Sequence, residues 1–361
     1  MRETLVSCFF NLQREEKNQR KDLSFYMNQA SFLLSQKIPM VLFLDKDVAV
    51  ECNLLRKSLQ LEDITRIVPT DIQDMPYYEC LEEIKEARKV NPLRNGDDQK
   101  KDTALFTALT WAKFAFIKQA MDMNPFKSTH FAWCDFGIAH VAKTTFAAEA
   151  FSDFPDRIKM LTLRNILPRD LSPNNQKFGK TEFVKKHYYA FERGIVAAGY
   201  MTGGKKEWEL LFTLFNKEVR SLLKEKFAPS EQQILPYLMI TNPSLFISYR
   251  GDYDAILSNY RHFRISLRNL TEYTLRRAKR EGVDLRYSCT TGVEIFKMIE
   301  RGDYDPNQTE DPAELLDFLN ELYASLVQIS RFELAEKIRV FYRGIRSVAR
   351  YQIQVTEYIP E

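Results

Sequence analysis

Five consecutive apolar residues, Met40-Val-Leu-Phe-Leu44, stand between two stretches with helical spacing, and this alternation constrains the fold more than any other part of the sequence. Before them, Thr4 to Leu12 reads as a buried strand. Phe25, Ala30, Phe32, Leu33 and Leu34 read as one face of a helix capped by Ser24 and ended by Pro39. After them come a helix near Ala49 to Leu59 and a strand at Ile64 to Val68. This β-α-β-α-β order implies a parallel sheet covered by helices on both faces. The loops after its first three strands open at one edge, where open α/β sheets bind ligands. Asp45, Asp47 and Asp71 fall in those loops, and Asp45-Lys46-Asp47 reads either as a solvated turn or as part of the crevice.

A second strand-sized run, Phe131-Ala-Trp-Cys134, ends at Asp135. Burying an unpaired carboxylate costs several kcal/mol, so an acid there either faces the crevice or caps a turn. Gly137 lets backbone come close to whatever sits beside it. Thr103 to Met123 reads as a long helix with Lys113 in its middle, a lysine that pattern alone would leave at the surface with its stem buried. The polar stretch Asp74 to Lys101 reads as a surface excursion or lid. Ile158 to Leu163 is a further strand, and Leu171 to Lys180 a loop.

Ile195 to Gly204, rich in small residues, reads as a glycine-containing turn feeding a helix from Lys205, whose first N–H groups suit an anion or sugar hydroxyls. Ser230 caps the next helix and Glu231 lies in its first turn, favourable for the helix dipole. Beyond Asp254 the pattern is helical, with candidates at Ile256 to Lys279, Glu294 to Arg301, from Asp311-Pro312, and from Phe332 to Tyr351. The expected division is therefore an α/β domain over 1–260 and a helical appendage over 261–361. The basic residues from Arg261 to Arg280 and the acids from Asp303 to Glu321 either pair with each other or leave a basic surface for an anionic acceptor such as a phosphoglycan, a lipid headgroup or nucleic acid.

The net charge of +3, from 52 basic and 49 acidic residues, carries no nucleic-acid footprint. Five scattered cysteines form neither a zinc motif nor a disulfide framework, which fits a reducing compartment. No stretch approaches the roughly 20 apolar residues of a membrane span. A cytoplasmic protein is expected.

The succession Asn124-Pro-Phe-x-Ser-Thr-His-Phe-Ala-Trp-Cys-Asp-Phe-Gly-Ile138, Ala198-Gly-Tyr-Met-Thr-Gly-Gly204, Ser230-Glu-Gln-Gln-Ile-Leu235, Asn242-Pro-x-Leu-Phe246 and Tyr249-x-Gly-Asp-Tyr-x-x-Ile-x-x-Asn-Tyr260 resembles the bacterial HtrL/YibB family. The likeness runs over roughly residues 4 to 260. That family looks like nucleotide-sugar glycosyltransferases of the GT-A fold, a Rossmann-like, mostly parallel sheet flanked by helices. The resemblance implies transfer of a sugar from a nucleoside diphosphate sugar to a hydroxyl acceptor such as a glycan, assisted by a divalent metal, manganese or magnesium. Asp135 stands where such enzymes carry Asp-x-Asp, but Gly137 replaces the second acid, and His262 is the candidate second metal ligand. Glu231 matches the position of a general base. Lys113 would offset donor phosphate charge, Asp45 or Asp47 would reach the base or ribose, and Gly199, Gly203 and Gly204 would line the sugar side. Two other readings stay open. One is a nucleotidyltransferase, although Asn11 to Asp22 lacks the expected glycine; the other is a sugar- or nucleotide-binding protein without activity.

Overall fold

The structure, a computed structural model, describes residues 3–12, 22–92, 103–142, 144, 147–163, 171, 184–190, 194–261, 267, 271, 275–276, 278–279, 285–301 and 312–356. The chain forms two compact units, Met1–Phe263 and Arg264–Glu361.

The strands of the first unit are β1 (Glu3–Phe9), β2 (Met40–Leu44), β3 (Thr65–Pro69), β4 (His130–Cys134), β5 (Ile158–Thr162), β6 (Val196–Gly204) and β7 (Phe246–Arg250). They lie in the order β3-β2-β1-β4-β6-β5-β7. β1 to β4 run parallel, β6 runs antiparallel to both β4 and β5, and β7 is parallel to β5. The Rossmann-like, mostly parallel architecture expected from the sequence is the one found.

Alternate residues of the central strands enter two cores, as the period of two requires. Leu5, Leu42 and Ala132 pack with α1 (Leu23–Leu34) and α2 (Lys46–Ser58). Val6, Val41, Phe43, Phe131 and Trp133 pack with α3 (Leu81–Val90), α4 (Ala104–Met123), α5 (Lys185–Tyr189), α6 (Lys205–Lys224) and α7 (Glu231–Thr241). Helices on both faces leave β2 and β4 with no exposed residue, which explains their unbroken apolar sequences.

Local chemistry fixes how the chain enters these elements. Asp22, rather than Ser24, caps α1 by accepting the Phe25 N–H at 2.9 Å, and the Ser24 hydroxyl donates to the same carboxylate. Thr103 caps α4 through Phe106 N–H. At the other end Asn124 adopts φ 33°, and its side chain accepts from Ser128 N–H at 2.8 Å and donates to Ser128 O at 3.0 Å. Ser128 in turn shares a 2.7 Å hydrogen bond with Thr4, which sets β4 beside β1. Arg56, fully buried, donates to the carbonyls of Leu34, Gln36 and Ile38 where α1 turns into β2.

Four stretches depart from expectation. The polar segment 74–101 contains α3, whose Ile84 and Ala87 are buried in the core. Residues 196–204 are a fully buried strand that passes directly into α6, not a turn. β7 was not anticipated; it is a short, half-buried edge strand. Of the helix expected over 256–279, residues 256–261 form a turn, and most of the rest lies outside the described residues.

The second unit contains α8 (Leu285–Arg301), α9 (Pro312–Gln328) and α10 (Phe332–Thr356). Its charges pair with each other: Arg276 lies 2.6 Å from Asp317 and 3.5 Å from Glu321, which Lys279 also meets. Among the described residues no helix is long and apolar enough to cross a membrane.

Candidate functional site

From β1 the chain proceeds to β2 and β3 on one side, whereas β4 lies on the other. The sheet therefore has its switch point between β1 and β4, and ligands of open α/β sheets bind outside the carboxyl ends of the strands at such a point. Asp135 is the first residue beyond β4. Its N–H continues the ladder to Gly199 O at 2.8 Å. Its Oδ1 accepts from Trp133 Nε1 at 2.7 Å and lies 3.1 Å from Lys113 Nζ. Among the described residues no donor reaches Oδ2, which lies beside Gly199.

Lys113 projects from the middle of α4 and reaches Glu231 Oε1 at 2.9 Å as well. Its side chain is only 8% exposed and that of Glu231 3%, against 42% for Asp135, so one end of the three-residue cluster is sealed and the other is open. Burial alone would lower the lysine's pKa; Asp135 first and Glu231 next outweigh it and raise the value overall. A buried ion pair is tolerated only with such full compensation. One cation between two carboxylates leaves the cluster a formal charge of −1. The same field reaches Cys8, whose thiol is raised by burial, then by Asp135 and more weakly by Asp45, with Lys113 opposing.

Asp45 sits at the same edge but is turned inward. It is 9% exposed, and its Oδ2 accepts Asn11 N–H at 2.6 Å, tying the loop after β1 to the end of β2. Asp47 is exposed in the first turn of α2. Lys46 and Asp71 join the loops after β2 and β3 at 2.7 Å, so those loops do share one edge.

A family model described as "Bacterial protein of unknown function (HtrL_YibB)" matches residues 1–264. The chain belongs to the HtrL/YibB family. No curated protein sequence matches it. Two solved structures are similar over 69% of this HtrL/YibB chain. One is mouse xyloside xylosyltransferase 1 in its apo form, with 12% identity, a TM-score of 0.36 and 85% of that chain covered. The other is a glycosyltransferase involved in the glycosylation of the major capsid of PBCV-1, with 12% identity, a TM-score of 0.31 and 82% covered.

Not every residue singled out in the sequence meets at the crevice of this HtrL/YibB protein. Asp135, Lys113, Glu231 and Gly199 come together. Gly137 abuts the Tyr26 ring, which a Cβ there would approach to 3.2 Å, so its close approach serves α1 packing. Gly203 and Gly204 lie at the opposite edge, paired with Phe131 and His130 at the start of β4, because antiparallel β6 runs back along it. A Cβ on Gly203 would meet Ile158 at 2.6 Å, and one on Gly204 would meet Asp156 O at 3.2 Å; both glycines serve sheet packing. His262 lies outside the described residues. The contact missed in the sequence is Trp133, whose indole N–H holds the carboxylate. Its spacing of two from Asp135 puts both on one side of the strand, and that was the available signal.

Proposed function

We propose that this protein is a glycosyltransferase that takes its sugar from a nucleoside diphosphate donor bound at the carboxyl edge of β1 and β4. The observation that carries this reading is Asp135, a half-exposed carboxylate at the switch point of a parallel sheet, held by buried donors. The resemblance of HtrL/YibB proteins to GT-A enzymes supports the same placement of the donor. Transfer forms a bond from the acceptor oxygen to the sugar's anomeric carbon and breaks that carbon's bond to the diphosphate, which leaves with the electron pair, while the acceptor's hydroxyl proton passes to water or to the departing diphosphate. Lys113 is already shared by two carboxylates, so its charge is not free for the phosphates, and we assign Glu231 the role of holding Lys113.

The donor set fits a divalent cation in one way. Among the described residues no group of three or more His, Cys, Asp and Glu side chains gathers, so an all-protein cage is not what they offer. Magnesium-type sites instead use one or two carboxylates together with substrate phosphates and water, and Asp135 Oδ2 suits that role. A cluster charge of −1 beside an incoming diphosphate calls for an added positive charge in any case. A bound cation would neutralise the diphosphate and act as a Lewis acid toward the leaving group.

The test is a thermal-shift screen against UDP-, GDP- and dTDP-sugars with and without manganese, followed by assay of released nucleotide, with a CMP-sugar as the monophosphate control that should give no shift. A donor at 100 Kd contributes about 2.7 kcal/mol to stability. One donor should shift the protein in a manganese-dependent way, and Asp135→Asn should remove both that dependence and turnover. No shift with any donor, or normal turnover in Asp135→Asn, overturns the proposal.

A further inference from the structure

We propose that Trp133 is a positioning residue that decides which oxygen of Asp135 faces the crevice, an inference that rests on the reading of Asp135 as the donor-side carboxylate. A carboxylate swings through a broad χ2 range and, untethered, presents either oxygen. Here two donors fix the same atom. The Trp133 indole, 2% exposed, donates to Oδ1 at 2.7 Å, and Lys113 Nζ reaches that oxygen at 3.1 Å. The two donors also brace each other, with Nζ 5.9 Å from the centroid of the Trp133 ring. Oδ2 is thereby left on the Gly199 side, where even a methyl group on residue 199 would stand 3.1 Å from it. The oxygen presented to a ligand is therefore set from behind by a buried ring.

The chain contains three tryptophans, and each indole has a known acceptor. Trp111 donates to Pro229 O at 3.0 Å and Trp208 to Phe131 O at 2.9 Å, both neutral carbonyls. Trp133 alone among them meets a carboxylate. The state of Asp135 is thus readable in a single indole resonance.

The experiment is a ¹H–¹⁵N correlation spectrum of protein labelled on tryptophan, with Trp133→Phe assigning the cross-peak by its loss. Asp135→Asn should move that peak and leave the other two in place, as should magnesium added with the preferred nucleoside diphosphate. Trp133→Phe, which keeps an aromatic side chain but is smaller and removes the N–H, should lower turnover about 10- to 100-fold and raise the metal concentration needed for half activation. If Trp133→Phe does not fold, Trp111→Phe and Trp208→Phe assign the other two peaks and leave the Trp133 peak by exclusion, and an Asp135→Asn spectrum in which none of the three peaks moves overturns the inference without any assignment. An unmoved Trp133 peak in Asp135→Asn overturns the inference. So does full turnover in Trp133→Phe beside an inactive Asp135→Asn, and that outcome leaves the reading of Asp135 standing. Normal turnover in Asp135→Asn overturns the reading of the site and this inference with it.

Discussion

Lys113 and Glu231, 118 residues apart in sequence, meet at 2.9 Å in the interior, where neither side chain is more than 8% exposed. The pair ties the middle of α4 to the first turn of α7 and holds the ammonium where it also reaches Asp135.

Glu231→Gln should therefore cost stability as well as turnover. Removing one member of a buried pair is worth about 3 to 5 kcal/mol, and urea denaturation should show a loss near the lower figure because Asp135 remains. Replacing both partners, Lys113→Met with Glu231→Leu, should recover part of that loss. A general base behaves differently: its Gln variant keeps its stability and loses the acidic limb of the kcat–pH profile. Unchanged denaturation together with a vanished limb would restore the base assignment.

Gly203 is placed away from the crevice, and a substitution there separates packing from chemistry. Gly203→Ala puts a methyl group 2.6 Å from Ile158 Cδ1 before relaxation. Overpacking of this kind costs about 1 to 3 kcal/mol. Tm should fall while donor affinity and turnover, measured well below it, stay at wild-type values. A weakened donor Kd at unchanged Tm would return Gly203 to the sugar side.

Cys52 gives a pH dependence with a defined sign. The thiol is fully buried in α2, and burial first, with Glu51 adding, pushes its pKa up to about 12. In the unfolded chain it ionises near 8.5, so between these values the native state holds the extra proton and rising pH favours unfolding. The limiting slope is about 1.4 kcal/mol per pH unit. The stability advantage of wild type over Cys52→Ala should shrink by about 2 kcal/mol between pH 8.5 and 10.5 in paired urea titrations. A gap that stays constant over that range would show that the thiol ionises without unfolding.

The amino-acid sequence determined the elements whose burial is two-sided or strongly periodic. Met40 to Leu44 had to be a covered strand because nothing in it tolerates water, and the helix from Thr103 followed from the spacing of its apolar residues. Asp135 was marked by position alone, as a charge at the end of an apolar run. Pairing between distant segments was decided only by the tertiary structure. The small-residue run 196–204 has no alternation to announce a strand because β4 and β5 flank it and helices cover it; its direction, which sends Gly203 and Gly204 to the far edge, comes from those partners. α3 looked like a surface excursion because only Ile84 and Ala87 of its ten residues are buried. Lys113 looked like a surface lysine for the complementary reason: a cation is buried stably only when its counter-charges arrive, and Asp135 and Glu231 arrive from elements that local sequence does not bring together.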